Sequence, residues 1–286
     1  MRYEKPTTLE AATALLASAG TDARVLAGGT DLLVQIRARV LSPTVVVDIK
    51  GIEETRRITK DAGGYRIGSA VTGAELKEHP TLSKDWPGLI EAANLIGSTQ
   101  VQGRASLGGN LCNGSPAADS VPGLIAAGAK AVIAGPSGQR ELAVEDIMLA
   151  PRKLALTKGE LIVAFKIAAK APHSSDAYLR FIPRTEMDIA VVGCGVALTL
   201  DGSGTCTAAR VSLGAVAARP LLVEDAAKAL IGTKVDEPAL VKLEAAARAA
   251  CKPIDDKRGT IEFRIDIAGV LARRTALIAL ERARKA

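Results

Sequence analysis

The sequence is poor in aromatic residues and in histidine. Its 286 residues include three Phe, three Tyr, one Trp and two His. Stacking platforms for nucleic-acid bases therefore have little material, and a histidine-based metal site or catalytic triad is disfavoured. The net charge is only +6, from 37 Lys and Arg against 31 Asp and Glu. Because the basic residues are spread out and form no long run, nucleic-acid binding is disfavoured again.

Cysteine is also scarce, and the four cysteines form no C-x-x-C pair. They stand at Cys112, Cys194, Cys206 and Cys251. Such wide spacing suits neither a structural zinc nor an iron–sulfur cluster held by this chain alone. We expect free, buried thiols and no metal site.

Long apolar runs are absent as well. No segment approaches the ~20 apolar residues of a membrane-spanning helix. The N-terminal stretch MRYEKP lacks the apolar core of a signal peptide. We therefore expect no membrane span and a cytoplasmic location.

What the sequence does contain is enough apolar material for real cores, since 48% of the residues are hydrophobic. Near the N-terminus, a Thr-x-x-Glu pattern from Thr7 to Glu10 predicts a capped helix over residues 7–16. A strand at 24–26, a glycine turn, a helix at 32–37 and a strand at 44–49 follow. The first unit is thus predicted to be βαβ-like.

Two further units are predicted downstream. From Tyr65, short strands alternate with helices near 72–78 and 89–96, an α+β pattern. The polar stretch AAKAPHSSD at 168–176 is interpreted as a loop, after which two alternating segments predict an antiparallel sheet followed by two or three helices. The predicted domains are 1–54, 55–172 and 173–286.

Two glycine pairs, Gly28-Gly29 and Gly108-Gly109, are each followed by a short polar residue. Successive amides in glycine-permitted backbone conformations form concave anion sites, and missing side chains let a phosphate approach the main chain. The first pair also leads into a predicted helix N-terminus. Two such loops suit a diphosphate, whereas the alternative is that each pair only makes a tight turn. The P-loop and dinucleotide-binding glycine patterns are both absent.

Downstream of the second glycine pair, Ser115 and Pro116 predict the N-cap and first residue of a helix. Asp119 would then lie in the first turn. Its carboxylate could either favour the helix dipole or accept hydroxyl groups of a ligand.

Four segments together resemble a known family: VLAGGTDLL (25–33), GSTQVQGRASLGGNLCNGSPAAD (97–119), RTEMDIAVVG (184–193) and DDKRGTIEFR (255–264). The resemblance is to the FAD-binding medium subunit of the molybdenum hydroxylases, which include xanthine dehydrogenase and carbon monoxide dehydrogenase. It implies an α+β, vanillyl-alcohol-oxidase/PCMH-type FAD-binding fold, with two N-terminal α/β subdomains and a C-terminal domain of antiparallel sheet and helices.

The resemblance also implies the residues of a cofactor site. The two glycine loops would surround the FAD pyrophosphate, and further positions would line or bind the flavin, with Arg180 replacing a lysine of some relatives. Arg258 and Arg264 are expected to form structural ion pairs or partner contacts. The implied cofactor-binding residues are Ala27, Gly28, Gly29, Thr30, Asp31, Leu32, Ile96, Ser106, Leu107, Gly108, Gly109, Asn110, Asp119, Ile162 and Arg180.

No catalytic residue is expected in this chain, because the family's chemistry is carried by cofactors. The resemblance implies a small subunit with two 2Fe–2S clusters and a large molybdopterin subunit, assembled as a dimer of heterotrimers. Electrons would pass through the FAD to an external acceptor such as NAD⁺ or a quinone. Two alternatives stay open: a self-contained FAD-dependent oxidase or reductase of the same fold, and a non-flavin scaffold subunit.

Overall fold

The first unit is a small parallel sheet with two helices. The computed structural model describes residues 1–286, the side chain of Thr21 excepted. The strand order is β1-β3-β2, and both strand pairs are parallel, so that β2, α2 and β3 form the predicted βαβ arrangement. The elements are β1 (Arg2–Glu4), α1 (Leu9–Ala19), β2 (Ala23–Leu26), α2 (Leu32–Arg37) and β3 (Val45–Asp48).

The start of α1 differs from the prediction. Thr8, not Thr7, is the N-cap, and its hydroxyl accepts a hydrogen bond from the Ala11 amide at 3.2 Å. Since Ala11 occupies the position that a capping-box Glu would need, the predicted reciprocal box with Glu10 is wrong here. A reciprocal box does form at the helix over Gly73–Glu78, between Thr72 and Glu75.

The second unit is a five-stranded antiparallel sheet in the order β4-β5-β10-β6-β7, with a short β8–β9 hairpin beside it. Its strands are β4 (Ile58–Asp61), β5 (Gly64–Gly68), β6 (Lys130–Gly135), β7 (Gly138–Ala143), β8 (Met148–Ala150), β9 (Lys153–Leu154) and β10 (Leu161–Ala168). Its helices are α3 (Gly73–Glu78), α4 (Leu82–Asp85), α5 (Pro87–Asn94), α6 (Thr99–Gln102), α7 (Leu107–Cys112) and α8 (Ser120–Ala126).

The helix predicted to begin at Ser115 does not form there. Residues 115–119 make turns, in which the Ser115 hydroxyl accepts a hydrogen bond from the Ala117 amide at 3.2 Å. Helix α8 begins only at Ser120, so Asp119 is its N-cap residue, although the Asp119 side chain makes no capping hydrogen bond. The carboxylate is engaged elsewhere, as described below.

The third unit is an antiparallel sheet covered by helices, as predicted. Its order is β11-β12-β13-β14. The elements are β11 (Ser174–Phe181), β12 (Val192–Leu200), β13 (Cys206–Gly214), β14 (Leu221–Leu222), α9 (Glu224–Leu230), α10 (Glu237–Ala250) and α11 (Ile261–Arg284). The interpretation of 168–176 as a loop is wrong from Ser174 onwards, because these polar residues begin a strand and are buried.

The cores explain how the units join. The core of the first unit includes Val132 and Val163, which lie on strands of the second sheet, so α1 and the parallel sheet pack directly onto that sheet. Helices α5 and α8 lie between the second and third sheets, where the Ser212 hydroxyl donates to the Pro122 carbonyl at 2.5 Å. The domain boundaries themselves stay a prediction. Within the described part of the chain, no helix combines the length and hydropathy needed to cross a membrane.

Arg264 is a buried cation that forms a structural ion pair, which is one of the two roles expected for it from the sequence. It is 3% exposed, and its guanidinium donates to the carbonyl groups of Val191 at 2.8 Å and Ala215 at 3.4 Å. It also pairs with Asp256 at 2.7 Å. These contacts tie the start of α11 to the ends of β12 and β13.

Replacing Arg264 with Met is therefore expected to lower the free energy of unfolding by about 2–3 kcal/mol, since two carbonyl groups and a carboxylate lose their donor. Urea unfolding followed by circular dichroism measures the change. Arg274→Met, at an exposed position of the same helix, is the control and should change stability by less than about 0.5 kcal/mol. Equal effects of the two substitutions would contradict a structural role for Arg264.

Candidate cofactor site

The two glycine loops meet at one cavity of about 670 Å³. This volume is within the usual range of small-molecule sites. The structure brings most of the predicted cofactor-binding residues into its wall. Those that line it are Ala27, Gly28, Gly29, Thr30, Asp31, Leu32, Ile96, Ser106, Gly108, Gly109, Asn110 and Ile162.

In the first loop, the two glycines have different structural roles. A Cβ atom on Gly28 would lie 1.9 Å from the Arg104 carbonyl oxygen, so only glycine lets this loop touch the chain that enters the second loop. Gly29 has a φ of +82°, a conformation in which other residues are strained. The pair thus sets both the contact between the loops and the turn into α2.

The amides after this turn are available to a ligand. Asp31 is the N-cap residue of α2 without a side-chain cap, and the amides of Thr30, Asp31 and Leu32 donate to no acceptor within the described part of the chain. Amides grouped in this way form an anion site. Since α2 has only six residues, the local amides rather than a long helix dipole supply the positive potential.

In the second loop, Gly108 packs against another segment of backbone, whereas Gly109 has open space beside it in the cavity. The Gly108 amide donates to the Ser69 carbonyl at 3.0 Å, and a Cβ on Gly108 would lie 2.6 Å from that same oxygen. A Cβ on Gly109 would meet only the Ser106 hydroxyl, at 3.2 Å, which already accepts the Gly109 amide at 3.1 Å. Among the four loop glycines, all of them described, only Gly29 has a positive φ.

Asn110 is held by the N-terminus of α8. Its Oδ1 accepts hydrogen bonds from the Ser120 amide at 3.2 Å and from the Ser120 hydroxyl at 2.7 Å. The side-chain oxygen is therefore occupied. Only the NH₂ group of Asn110 is left to donate to a ligand in the cavity.

A lysine that the sequence patterns did not single out anchors the first loop from behind. Lys50 Nζ donates to the Ala27 carbonyl at 2.8 Å and to Asp48 at 2.7 Å. Tyr3 donates to the other Asp48 oxygen at 2.5 Å. Although burial opposes it, hydrogen bonds from Lys50 and Tyr3 hold the pKa of Asp48 below its ordinary value. Asp48 is therefore ionised at neutral pH and keeps Lys50 in place.

Three predicted residues do not line the cavity in the described structure. Leu107 is 1% exposed and belongs to the core of the second unit. Asp119 and Arg180 form a buried ion pair at 2.8 Å, and Arg180 also donates to the Leu95 carbonyl at 2.9 Å, next to Ile96 in the cavity wall. Burial raises the pKa of Asp119 to about 6, in spite of Arg180. A cofactor-binding role for these three stays a prediction.

The cavity wall also contains residues that sequence reasoning missed. Gln35 of α2 donates to Oδ1 of Asn113, the residue after α7, at 3.0 Å, and both residues line the cavity. Cys112 is exposed and lines the cavity, so the prediction of a buried thiol is wrong at this one position and confirmed at the other three. Isolated polar residues of short helices, strands and turns carry no periodic signal, which is why no pattern revealed them. The missed cations of the wall are Arg24, Arg152 and Lys158.

These features fit the diphosphate of a dinucleotide. The amides of the first loop are free to donate to an anion, and the missing side chain of Gly109 leaves the space that a phosphate would fill. Within the described part of the chain, no group of three or more His, Cys, Asp or Glu side chains could hold a metal ion.

Comparison with known proteins identifies the family. Residues 1–169 match the FAD binding domain in molybdopterin dehydrogenase, and residues 177–279 match the CO dehydrogenase flavoprotein C-terminal domain. The chain belongs to the FAD-binding subunits of the molybdopterin dehydrogenases. The resemblance inferred from the four segments, the fold class and the FAD cofactor are thereby confirmed, and the chain is the flavoprotein subunit of an oxidoreductase.

Individual relatives of this FAD-binding subunit span nearly its whole length. The carbon monoxide dehydrogenase medium chain of Afipia carboxidovorans is 35% identical over 282 residues, which is 99% of this chain and 96% of that protein. The xanthine dehydrogenase FAD-binding subunit of Escherichia coli O157:H7 is 30% identical, over 95% of this chain and 93% of that protein.

Solved structures of similar proteins have the same fold as this chain. The carbon monoxide dehydrogenase of Hydrogenophaga pseudoflava superposes with a TM-score of 0.94 at 32% identity, covering 99% of this chain and 98% of that chain. Quinoline 2-oxidoreductase from Pseudomonas putida 86 gives a TM-score of 0.90 at 29% identity, with the same coverage.

Replacing Gly109 with Ala is expected to weaken FAD binding at least tenfold without loss of stability, because the new methyl group enters the cavity while Ala favours the helix by up to about 1 kcal/mol. FAD titration of the apoprotein and thermal unfolding measure the two effects. Gly108→Ala should instead destabilise the fold, since its Cβ would collide with the Ser69 carbonyl. Undiminished FAD affinity in the Gly109→Ala protein would show that the cofactor does not approach this residue.

Cys112 provides a second, independent test of where FAD binds. Bound FAD is expected to slow alkylation of Cys112 by a maleimide at least tenfold, because Cys112 lines the cavity and the other three cysteines are buried. Although the residue is exposed, desolvation of its sulfur raises the thiol pKa to about 12, so both rates are low and their ratio is the quantity tested. Mass spectrometry of apoprotein and FAD-loaded protein gives the rates, with Cys112→Ser as the unlabelled control. Equal labelling rates with and without FAD would contradict this placement.

Proposed function

We propose that this chain passes electrons from the iron–sulfur clusters of a partner subunit through its FAD to an external acceptor. The observation that carries the proposal is the meeting of two glycine loops over one cavity whose free amides fit a diphosphate. The names of the relatives support it, since they are medium chains and FAD subunits of carbon monoxide and xanthine dehydrogenases.

The chain's own residues bind and orient the cofactor. The amides of Thr30 to Leu32 and the NH₂ group of Asn110 would donate to the diphosphate. Lys50 keeps the first loop in position through the Ala27 carbonyl. When bound, FAD supplies the exchange of one or two electrons, and the protein supplies position and electrostatic environment.

The pair of Asp119 and Arg180 would tune that environment. Its guanidinium group is held next to Ile96 by the Leu95 carbonyl and by Asp119. Because the Asp119 carboxylate neutralises most of the Arg180 charge, the pair would act on a neighbouring flavin mainly as a fixed dipole. Ile96 and Ile162 would provide the apolar walls of the site.

The partners we propose are a small subunit with two 2Fe–2S clusters and a large molybdopterin subunit, in a dimer of heterotrimers in the cytoplasm. Substrate oxidation would take place in the large subunit. Each substrate oxidised would deliver two electrons through the clusters to this FAD, and the external acceptor would remove them.

Anaerobic flavin spectroscopy tests this assignment. The isolated FAD-loaded chain, mixed with an aldehyde, an aromatic heterocycle or carbon monoxide, is expected to keep its oxidised flavin spectrum. Bleaching of the flavin should appear only after both partner subunits are added, because the large subunit would oxidise the substrate and the small subunit would pass the electrons to the FAD. Bleaching of the isolated chain would instead establish a self-contained flavoenzyme, and a chain that takes up no FAD would be a scaffold subunit.

A further inference from the structure

Alternate residues of strand β11 hold helix α5 along its whole length. Asp176, Tyr178 and Arg180 lie on one face of the strand, as residues two apart do. The backbones are in direct contact, since a Cβ on Gly88 of α5 would lie 2.6 Å from the Ala177 amide nitrogen. The side chains of Asp176 and Arg180, together with the backbone amide of Tyr178, contact α5 and the residue after it, and so set how α5 sits between the second and third sheets.

At the beginning of α5, Asp176 replaces the missing helix cap. Trp86, the N-cap residue, makes no side-chain cap. The Asp176 carboxylate, 1% exposed, accepts the amides of Gly88 at 3.0 Å and Leu89 at 2.8 Å. Burial raises the pKa of Asp176 to about 6, so the cap is ionised at pH 8.

In the middle of α5, the C-terminal helix joins the contact. Glu91 accepts the Tyr178 amide at 3.1 Å and forms a two-pronged ion pair with Arg282 of α11. Arg282 also donates to the Asp176 carbonyl at 3.0 Å. One guanidinium group in the last turns of the chain therefore bonds both α5 and β11.

At the end of α5, the contact reaches the cavity. Arg180 pairs with Asp119 and donates to the Leu95 carbonyl. The residue that follows Leu95, Ile96, lines the cavity. Asp119 is followed by Ser120, which holds Asn110 of the second glycine loop. Tyr178, whose amide donates to Glu91, also donates its hydroxyl to Asp119 at 3.3 Å, so contacts run from Arg282 to two parts of the cavity wall.

We propose that Arg282, far from the glycine loops in sequence, is a positioning residue for the cofactor: its bonds to Glu91 and to the Asp176 carbonyl set the placement of α5, and through it the cavity wall at Ile96. The inference rests on the proposed function, in that FAD occupies the cavity. Its physical basis is preorganisation, since a wall that is already ordered loses less entropy when ligand binds.

A matched pair of arginines on the same helix separates positioning from general stability. Arg273 of α11 bonds Glu237 and Glu244 of α10, and none of these bonds reaches α5. Its side chain is 30% exposed against 33% for Arg282. Arg282→Met and Arg273→Met each break a similar ion-pair cluster, and only the first acts on the wall of the cavity.

The experiment measures FAD affinity of each apoprotein at pH 8, together with its melting temperature. Arg282→Met is expected to raise the FAD dissociation constant about threefold to thirtyfold, whereas Arg273→Met should leave it within about twofold at a comparable loss of melting temperature. Arg282→Lys should recover part of the affinity, because an ammonium keeps the charge but not the two-pronged geometry. Glu91→Gln combined with Arg282→Met should weaken binding no more than Arg282→Met alone, since the two residues act as one contact.

Equal FAD affinities of the Arg282→Met and Arg273→Met proteins, with normal binding by the wild type, would overturn this inference alone. If Arg282→Met does not fold, the milder Arg282→Lys decides, and wild-type affinity in that protein would again overturn it. A wild-type chain that binds no FAD would overturn the proposed function and this inference together.

Discussion

The architecture of the site depends on a backbone contact between two loops that are far apart in sequence. Gly28 lies directly against the Arg104 carbonyl, where a Cβ atom would come within 1.9 Å. Any side chain would force the loops apart and open the cavity between them. Because Gly108 packs in the same way on Ser69, both loops are fixed by main-chain atoms. The amides that remain free are therefore held in a geometry that the ligand does not have to create.

At two places in the cavity wall, an ion pair holds a main-chain carbonyl group in position in the same way. Behind the first loop, Lys50 pairs with Asp48 and donates to the Ala27 carbonyl. Behind the part of the wall that contains Ile96, Arg180 pairs with Asp119 and donates to the Leu95 carbonyl. Burying a charge is costly unless it is paired and hydrogen-bonded. In each case the carboxylate makes that burial tolerable, and the cation fixes a main-chain oxygen next to the site.

The glycine pairs, the βαβ unit and the third sheet could be predicted, because their signals are local. What could not be predicted depends on contacts between distant residues. Polar Asp176 suggested a loop, and it is buried in a strand because it caps a helix 88 residues earlier. Ser115 suggested a helix start, but the first regular turn begins at Ser120. Cys112 suggested a buried thiol, yet the cavity beside it leaves it exposed. Lys50 gave no signal at all, since one lysine after a strand is ordinary.

Helix α2 forms one wall of the cavity, and none of its six residues, all of which the structure describes, is buried. Leu33 and Val34 are 49% and 62% exposed, so little apolar area is lost when the helix detaches. Segments with few buried contacts open locally at a small fraction of the global unfolding free energy. The rigid main-chain contact of Gly28 lies just before this helix. None of the three hydrophobic cores includes a residue of α2. Local opening of this wall would therefore break the bond between Gln35 and Asn113 while it leaves the three cores intact.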